Sequence, residues 1–270
     1  MTARILHVSD LHMGKREDAE VERALAALVE RIAPEVVVAS GDLTNRGRRA
    51  EHERAHGFLG SLGVPVLAVP GNHDLPYTLP ARITSPWAEF ERLWETTEPT
   101  HASAALHVVG LNSAQPYRHQ SGALSEAQLR RAAERLGEAA AGAYRVAVLH
   151  HHLLGAPWRA ARKRPVSNRD RVFEALVSAG ADLILAGHIH QAALAERREF
   201  EAVRGGARAA VISIAPGFGQ PRPNRLGEAR GLHVYEAGEA SLTALTYVWR
   251  DGDWNLIARR TFPRGLGPLT

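Results

Sequence analysis

Five short apolar runs mark the first two thirds of the chain, at residues 5–8, 36–39, 66–69, 146–149 and 183–186, and each leads straight into polar residues. Short apolar runs bounded in this way read as buried strands. Between them, residues 19–32, 50–62, 125–136 and 169–179 carry apolar side chains at the spacing of one helical face. Ser125 followed by Gln128 fits a capping box, and Asn168 fits an N-cap. Strands that alternate with helices predict βαβ units, and so an α/β fold with its sheet covered by helices.

Beyond residue 195 the pattern changes to strands separated by glycine turns, at residues 201–214, 231–236, 241–250 and 254–260, with Asp251-Gly252 as a hairpin signal. These antiparallel segments either extend the sheet or form a second one against it. No linker rich in Pro, Gly or Ser divides the chain, so residues 1–270 are expected to form a single domain. The polar strand ends lie within residues 4–192 and the antiparallel strands within 198–262.

Composition narrows the chemistry. Hydrophobic residues make up 45% of 270, ample for a core. No apolar stretch approaches a membrane span, and Met1 leads almost directly into the first strand without a signal-peptide core, so a cytoplasmic location and no membrane partner are expected. With no cysteine, any metal must be held by nitrogen and oxygen. The net charge of +4 is carried almost wholly by arginine, Lys15 and Lys163 being the two lysines. That balance suits an anionic substrate or nucleic acid but is equally that of a solvated surface.

The residues at the strand ends are more specific: Asp10 and His12 in SDLH, Asp42 in GD, Asn72, His73 and Asp74 in GNHD, His150 to His152 in HHH, and His188 and His190 in GHIH. In an open α/β sheet the carboxyl ends of strands converge on one edge, which would bring these distant residues together. Spacing i, i+2 would put both donors of Asp10/His12 and of His188/His190 on one side of an extended segment. Imidazole, carboxylate and amide oxygen suit divalent manganese, iron, zinc or cobalt, and the set exceeds what one ion needs, so two ions are implied with Asp42 as a natural bridge. Once the carboxylates of Asp10 and Asp42 and one hydroxide are counted, two divalent ions still leave a positive cluster, suited to a phosphate ester and to attack by a metal-activated hydroxide.

In this order and spacing, SDLH, GDLTNRG, GNHD, HHH and GHIH resemble the calcineurin-like metallophosphoesterase superfamily. The resemblance implies a four-layer α-β-β-α sandwich of two mixed sheets flanked by helices. Carried over by position, Asp10, His12 and His190 would hold one metal and Asn72, His151 and His188 the other, with Asp42 bridging. Three adjacent histidines compete for the HHH position. The family's ligand stands two residues before a proline, which points to His151 although Leu153 occupies the proline's place. His150 is then expected to be a buried, hydrogen-bonded strand-end residue, and His152 a supporting or substrate-facing group.

The resemblance makes His73 the candidate acid for the leaving oxygen, with Asp74 orienting its imidazole and Gly71 permitting the turn. Asn45 stands where many relatives have aspartate, and Arg46 is expected to brace that loop. His7, His52, His56, His101, His107 and His233 lie outside the motifs and are expected to be ordinary core or surface residues. Trp87, Phe90 and Trp94 recur at helical spacing and are expected to pack the core.

The stretch LNSAQPYRHQSGALSEAQL, with HHH and PVSNRDRVFEAL, resembles the branch containing class III cyclic-nucleotide phosphodiesterases and glycerophosphodiesterases. A small phosphodiester is the implied substrate. His119 lies in a loop that approaches the site in such relatives, although a plain loop histidine is the favoured reading, and Arg159, Arg162, Lys163 and Arg164 are read either as lining its entrance or as a solvated loop. ILHVSDLHMGK also resembles the start of the superfamily's repair-exonuclease branch, but no aromatic-interleaved basic stripe accompanies it, so nucleic acid is the less favoured partner. A non-catalytic scaffold that keeps the fold without metals is a third reading, opposed by the intact donor set.

Overall fold

The computed structural model describes residues 2–14, 18–154, 163–199, 210–219 and 230–264. Its first half alternates β1 (Ala3–Val8), α1 (Ala19–Ile32), β2 (Val36–Ala39), α2 (Arg49–Gly60) and β3 (Val66–Ala68), then two short helices, α3 (Ala81–Thr84) and α4 (Ala88–Trp94). There follow β4 (Thr100–Ala102), β5 (Leu106–Gly110), α5 (Glu126–Gly137), β6 (Tyr144–Val148), α6 (Arg169–Ser178), β7 (Leu183–Ala186), β8 (Ala193–Glu196) and β9 (Val211–Ile214). Strands β10 (Gly231–Ala237), β11 (Ser241–Arg250) and β12 (Asp253–Pro263) close the described fold.

Two mixed six-stranded sheets result, in the orders β12-β11-β10-β1-β2-β3 and β4-β5-β6-β7-β9-β8. Side-chain alternation explains the layering. On β1 and β2, Leu6, Val8, Val37 and Ala39 pack with Val21, Leu25, Leu28, Phe58 and Leu59 of the covering helices, while Ile5, Val36 and Val38 meet Val108, Val146, Val148 and Leu185 of the other sheet. Helices α5 and α6 cover the second sheet's far side through Leu129, Leu136, Phe173 and Leu176. Both faces of the central strands are therefore buried, which is why those strands read as unbroken apolar runs. This is the expected α-β-β-α sandwich.

The C-terminal strands extend the first sheet, because β10 pairs antiparallel with β1. The hairpin at Asp251 and Gly252 has both residues at positive φ, 55° and 79°, as its tight turn requires. Of the expected strand 201–214, residues 210–214 are described, and Val211–Ile214 form β9. Strands β4, β5 and β8 were not marked by the periodicity, being short or, in β5, interrupted by His107. Phe90 of α4 is fully buried and Trp94 packs beside it, in keeping with a core role. Ser125 and Gln128 form the capping box. Asn168 occupies the N-cap of α6 without capping it: its side-chain amide bonds the backbone N–H and C=O of Leu124 instead.

A chain of buried polar groups crosses between the sheets. Ser213 Oγ lies 2.6 Å from Tyr235 Oη, which lies 3.4 Å from His7 Nδ1, and His7 Nε2 lies 2.8 Å from Ser40 Oγ. Two of the histidines expected to be ordinary core residues, His7 and His233, are buried and hydrogen-bonded here. Tyr235→Phe strips the hydroxyl from the middle of this chain and leaves buried partners unsatisfied. It should cost about 1–3 kcal/mol, read as a lower urea midpoint with an unchanged slope; an unchanged midpoint would show that the chain carries no stability.

Candidate metal centre

The loops that follow β1, β2 and β3 in one sheet and β6 and β7 in the other deliver the polar motifs to one place. Sequence reasoning anticipated the edge of a single sheet; the cluster instead lies where the strand ends of two sheets meet. Backbone hydrogen bonds tie the loops together, from Asp10 N to Gly41 O, His12 N to Asp42 O and Gly187 N to His150 O, at 2.9 to 3.0 Å. The i, i+2 pairs are not extended. Asp10, His12, Asp42, His188 and His190 all have positive φ, between 51° and 73°, a conformation that non-glycine residues adopt at a cost and that concentrates at functional sites.

Glycine serves closeness here more than turning. A Cβ on Gly71 would stand 2.3 Å from both the backbone N and Oδ1 of Asp42, and one on Gly187 1.8 Å from Ser9 Oγ. Gly71 was expected to permit a turn, yet it is not among the positive-φ glycines. Its missing side chain lets the GNHD and GD loops touch.

Several of the donors are gripped at one atom and open at another. Asp10 Oδ2 accepts from Ser9 Oγ at 2.7 Å and from His188 N at 2.9 Å, while Oδ1 is buried with no hydrogen-bond partner among the described residues. Asp42 Oδ1 accepts from His73 N at 2.8 Å, and Oδ2 is likewise open. Asn72 Oδ1 and His151 Nε2 are also buried and open. His151 is oriented through Nδ1, 2.9 Å from Ser113 Oγ, and His188 through Nε2, 3.1 Å from Gln120 O. A ring nitrogen beside a carbonyl must be its donor, so His188 keeps a lone pair on Nδ1.

Two groups of donors fit metal ions. Asp10 Oδ1, His12 Nε2 and His190 Nε2 lie 3.0 Å (His190 to Asp10), 3.2 Å (His190 to His12) and 3.8 Å (His12 to Asp10) apart. Metal–ligand bonds of about 2.0–2.2 Å set neighbouring donors roughly 3.0–3.5 Å apart. His150, His151 and His188 form the second group, and Asp42 contributes to groups shared with His12 and with Asp10. Open buried oxygens and two facing imidazole nitrogens are costly without a cation between them, so these residues fit bound metal.

The triple histidine divides by neighbour. His150 is buried and hydrogen-bonded, its Nδ1 donating to Ser40 O at 2.8 Å, but its Nε2 also lies 3.3 Å from Asp42 Oδ1 and 3.2 Å from His188 Nδ1. This approach to the cluster is not marked in the sequence. Burial alone would lower its pKa; the Asp42 carboxylate, together with Asp10 and the Ser40 carbonyl, outweighs that and pushes it up to about 9. Burial chiefly holds His12, His151 and His188 well below the usual imidazole value, so at neutral pH they are uncharged with a lone pair to offer. Burial opposes ionisation of Asp10 and Asp42, yet His190 beside Asp10 and His150 beside Asp42 hold both below the usual carboxylate range. His152 is buried and stacked on His188 at 5.8 Å, its pKa lowered to about 4 by burial and by the charges of His150, Lys163 and Arg169.

At the rim, the His73 ring lies edge-on to His12 at 4.8 Å. Its Nδ1 is 2.8 Å from Asn45 O and 3.0 Å from Tyr77 Oη. Asp74, expected to orient this imidazole, does something else: its carboxylate accepts from the backbone N–H groups of Leu43, Thr44 and Gly71 and from Thr44 Oγ1, pinning the GNHD loop to the GD loop. His52 supports the same loop by bonding Asp74 O at 3.0 Å. Arg46 is exposed, and it is its backbone N–H that is engaged, by Glu51. His119 is exposed at 6.5 Å from the Tyr77 ring. Of the expected entrance cluster, Lys163 is buried and Arg164 exposed, while Arg159 and Arg162 lie outside the described residues.

Two relatives and one solved structure carry the comparison further. The chain is 30% identical over 166 residues to a probable cyclic nucleotide phosphodiesterase of Synechococcus sp., covering 56% of this chain and 58% of that protein. It is 28% identical over 200 residues to the 3′,5′-cyclic adenosine monophosphate phosphodiesterase CpdA of Haemophilus influenzae, covering 70% of each. Its fold superposes on the yellow lupin purple acid phosphatase PPD1 with a TM-score of 0.74 at 12% identity, over 98% of this chain and 54% of that one. The chain thus spans little more than half the length of the Synechococcus protein and of the lupin phosphatase. The model of the calcineurin-like phosphoesterase family matches residues 3–192, the stretch that supplies every loop of the cluster, and the chain belongs to that family.

Proposed function

We propose that the protein is a phosphodiesterase working with two divalent metal ions, one held by Asp10, His12 and His190, the other by Asn72, His151 and His188, with Asp42 between them. The observation that carries this reading is the set of buried, open donor atoms, Asp10 Oδ1, Asp42 Oδ2, Asn72 Oδ1 and His151 Nε2, on the loops whose aspartates and histidines cluster. The relatives described as cyclic nucleotide phosphodiesterases favour a small diester over a monoester. When bound, the ions would supply an activated water and neutralise charge on the phosphoryl group.

The chain's own residues supply the rest. Asn45 O fixes Nδ1 of His73 as a donor, which leaves Nε2 as the atom that moves a proton. In its protonated form His73 gives the Nε2 proton to the leaving oxygen, and the neutral ring remains held through Nδ1. Asp74 keeps the loop bearing Asn72 and His73 against the loop bearing Asp42, so donor and acid hold one spacing.

Metal-reconstituted protein should hydrolyse bis(p-nitrophenyl) phosphate in preference to p-nitrophenyl phosphate and lose both activities to a chelator. A preference for the monoester would overturn the diesterase assignment. Asp42→Asn and His151→Ala should lose bound metal and activity together by elemental analysis and assay. His73→Ala should keep its metal while turnover falls by roughly 100-fold or more; loss of metal in that variant would refute the acid role.

Proton release gives an independent check. In the metal-free protein at pH 7.5, His12, His151 and His188 are already neutral, whereas His150, with a pKa of about 9, carries a proton that cations beside Asp42 would expel. Metal loading should therefore release about one proton, seen by calorimetry in buffers of different ionisation enthalpy. No release would show that His150 starts out neutral; a further proton is what ionisation of a metal-bound water would add.

A further inference from the structure

Exposed apolar side chains gather beside His73. Six large hydrophobic residues are exposed among the described ones, and four of them, Tyr77, Leu79, Ile83 and Tyr117, lie on two segments, one following β3 and the other following β5. Such a gathering points to a bound partner where scattered single residues would not. Buried Arg82 makes the two segments one surface, its Nε donating to Pro116 O at 2.8 Å and its Nη1 to Pro76 O at 3.1 Å. The turn that bears Tyr117 is closed by a bond from Arg118 N to Gln115 O at 3.1 Å. No Asp or Glu occurs in residues 75–88 or 111–125, so these segments do not repel an anionic diester.

Tyr77 joins that surface to the metal centre by direct contact. Its Oη lies 3.0 Å from His73 Nδ1 and its ring 5.7 Å from the His73 ring, which itself lies 4.8 Å from the ring of His12. The hydroxyl is thus committed to the acid, yet Tyr77 stays 46% exposed, with exposed His119 edge-on to it at 6.5 Å. A leaving oxygen that takes the His73 Nε2 proton must come within about 2.6–3.2 Å of that atom. It then lies within roughly 8 Å of the Tyr77 hydroxyl, the reach of a single ring carried by the leaving alcohol. A planar ring in that place gains an aromatic contact with Tyr77 that an aliphatic group of the same size does not.

We infer that Tyr77 is a specificity-determining residue on the leaving-group side of the site, its ring receiving a planar, aromatic part of the departing alcohol. The inference rests on the diesterase reading and on His73 as the acid. It makes the alcohol that bears an aromatic ring the one released, and ranks diesters of such alcohols above diesters of aliphatic ones.

The test uses metal-loaded protein and a diester with two different alcohols, benzyl methyl phosphate. Water adds at phosphorus and one P–O bond breaks, so the products are benzyl alcohol with methyl phosphate, or methanol with benzyl phosphate. The alcohol on the His73 side takes the proton and leaves, and the product ratio reports which one that is, independently of how much protein is folded. Benzyl alcohol should exceed methanol by about threefold or more, whereas cyclohexylmethyl methyl phosphate should show a ratio nearer to one. Tyr77→Ala should bring the benzyl ratio down to the cyclohexylmethyl value. Tyr77→Phe should keep it even as turnover falls with the lost hydroxyl contact; a role confined to holding His73 would slow both variants and move neither ratio. Calorimetric titration with the inert benzylphosphonate and cyclohexylmethylphosphonate supplies a second readout: the aromatic one should bind about threefold or more tighter to the wild-type and Tyr77→Phe proteins and no tighter to Tyr77→Ala. A benzyl ratio unmoved in Tyr77→Ala, or equal binding of the two phosphonates by the wild type, would overturn the inference. Aromatic preference in binding without hydrolysis of either diester would support the subsite and count against the diesterase reading alone.

Discussion

Asp10 and Asp42 lie fully buried, each with one carboxylate oxygen held by the protein and one open. An open charged oxygen in the interior is among the costliest arrangements a fold can carry, and much of the surrounding structure can be understood as holding it in place. Five residues of the motif loops accept left-handed backbone. Gly71 and Gly187 leave out side chains so that loops can meet at distances no Cβ would allow. The polar chain from Ser213 through Tyr235 and His7 to Ser40 ends at His150, which lies against Asp42. Strain, close approach and buried polarity converge on one point, as expected where stability is exchanged for a site.

That frame explains how histidines so alike in sequence come to differ. Ser113 engages Nδ1 of His151 and leaves Nε2 open, whereas Gln120 engages Nε2 of His188 and leaves Nδ1. Partners outside the donor set thus choose the nitrogen offered inward, a division of labour usual around metal sites. Asp74 belongs to the same outer layer. Its oxygens are filled by backbone N–H groups, so it positions the loops rather than taking part in proton transfer.

Much of this was legible in the sequence for a plain physical reason. Central strands buried on both faces must be apolar throughout, and a polar residue directly after such a run is conspicuous. Residues 36–39 and 183–186 appear as strands with the bounds the pattern predicted, as do 19–32 for the first helix. The short edge strand β4 and the His107-bearing β5 lack that contrast and passed unmarked. Asn168 has the chemistry of a cap, but its amide has a better partner in Leu124, which is 44 positions away.

The sequence by itself determined which chemistry is available: nitrogen and oxygen donors without thiolate, set at the ends of buried strands, in an order that identifies the family. Tertiary structure alone decided how those donors meet. That they come from two sheets, that Asp74 grips backbone, that His150 reaches Asp42 and that Arg82 ties two segments of the rim together are all contacts across the chain. Local pattern carries the cost of burying a residue, but not the identity of the partner that offsets it.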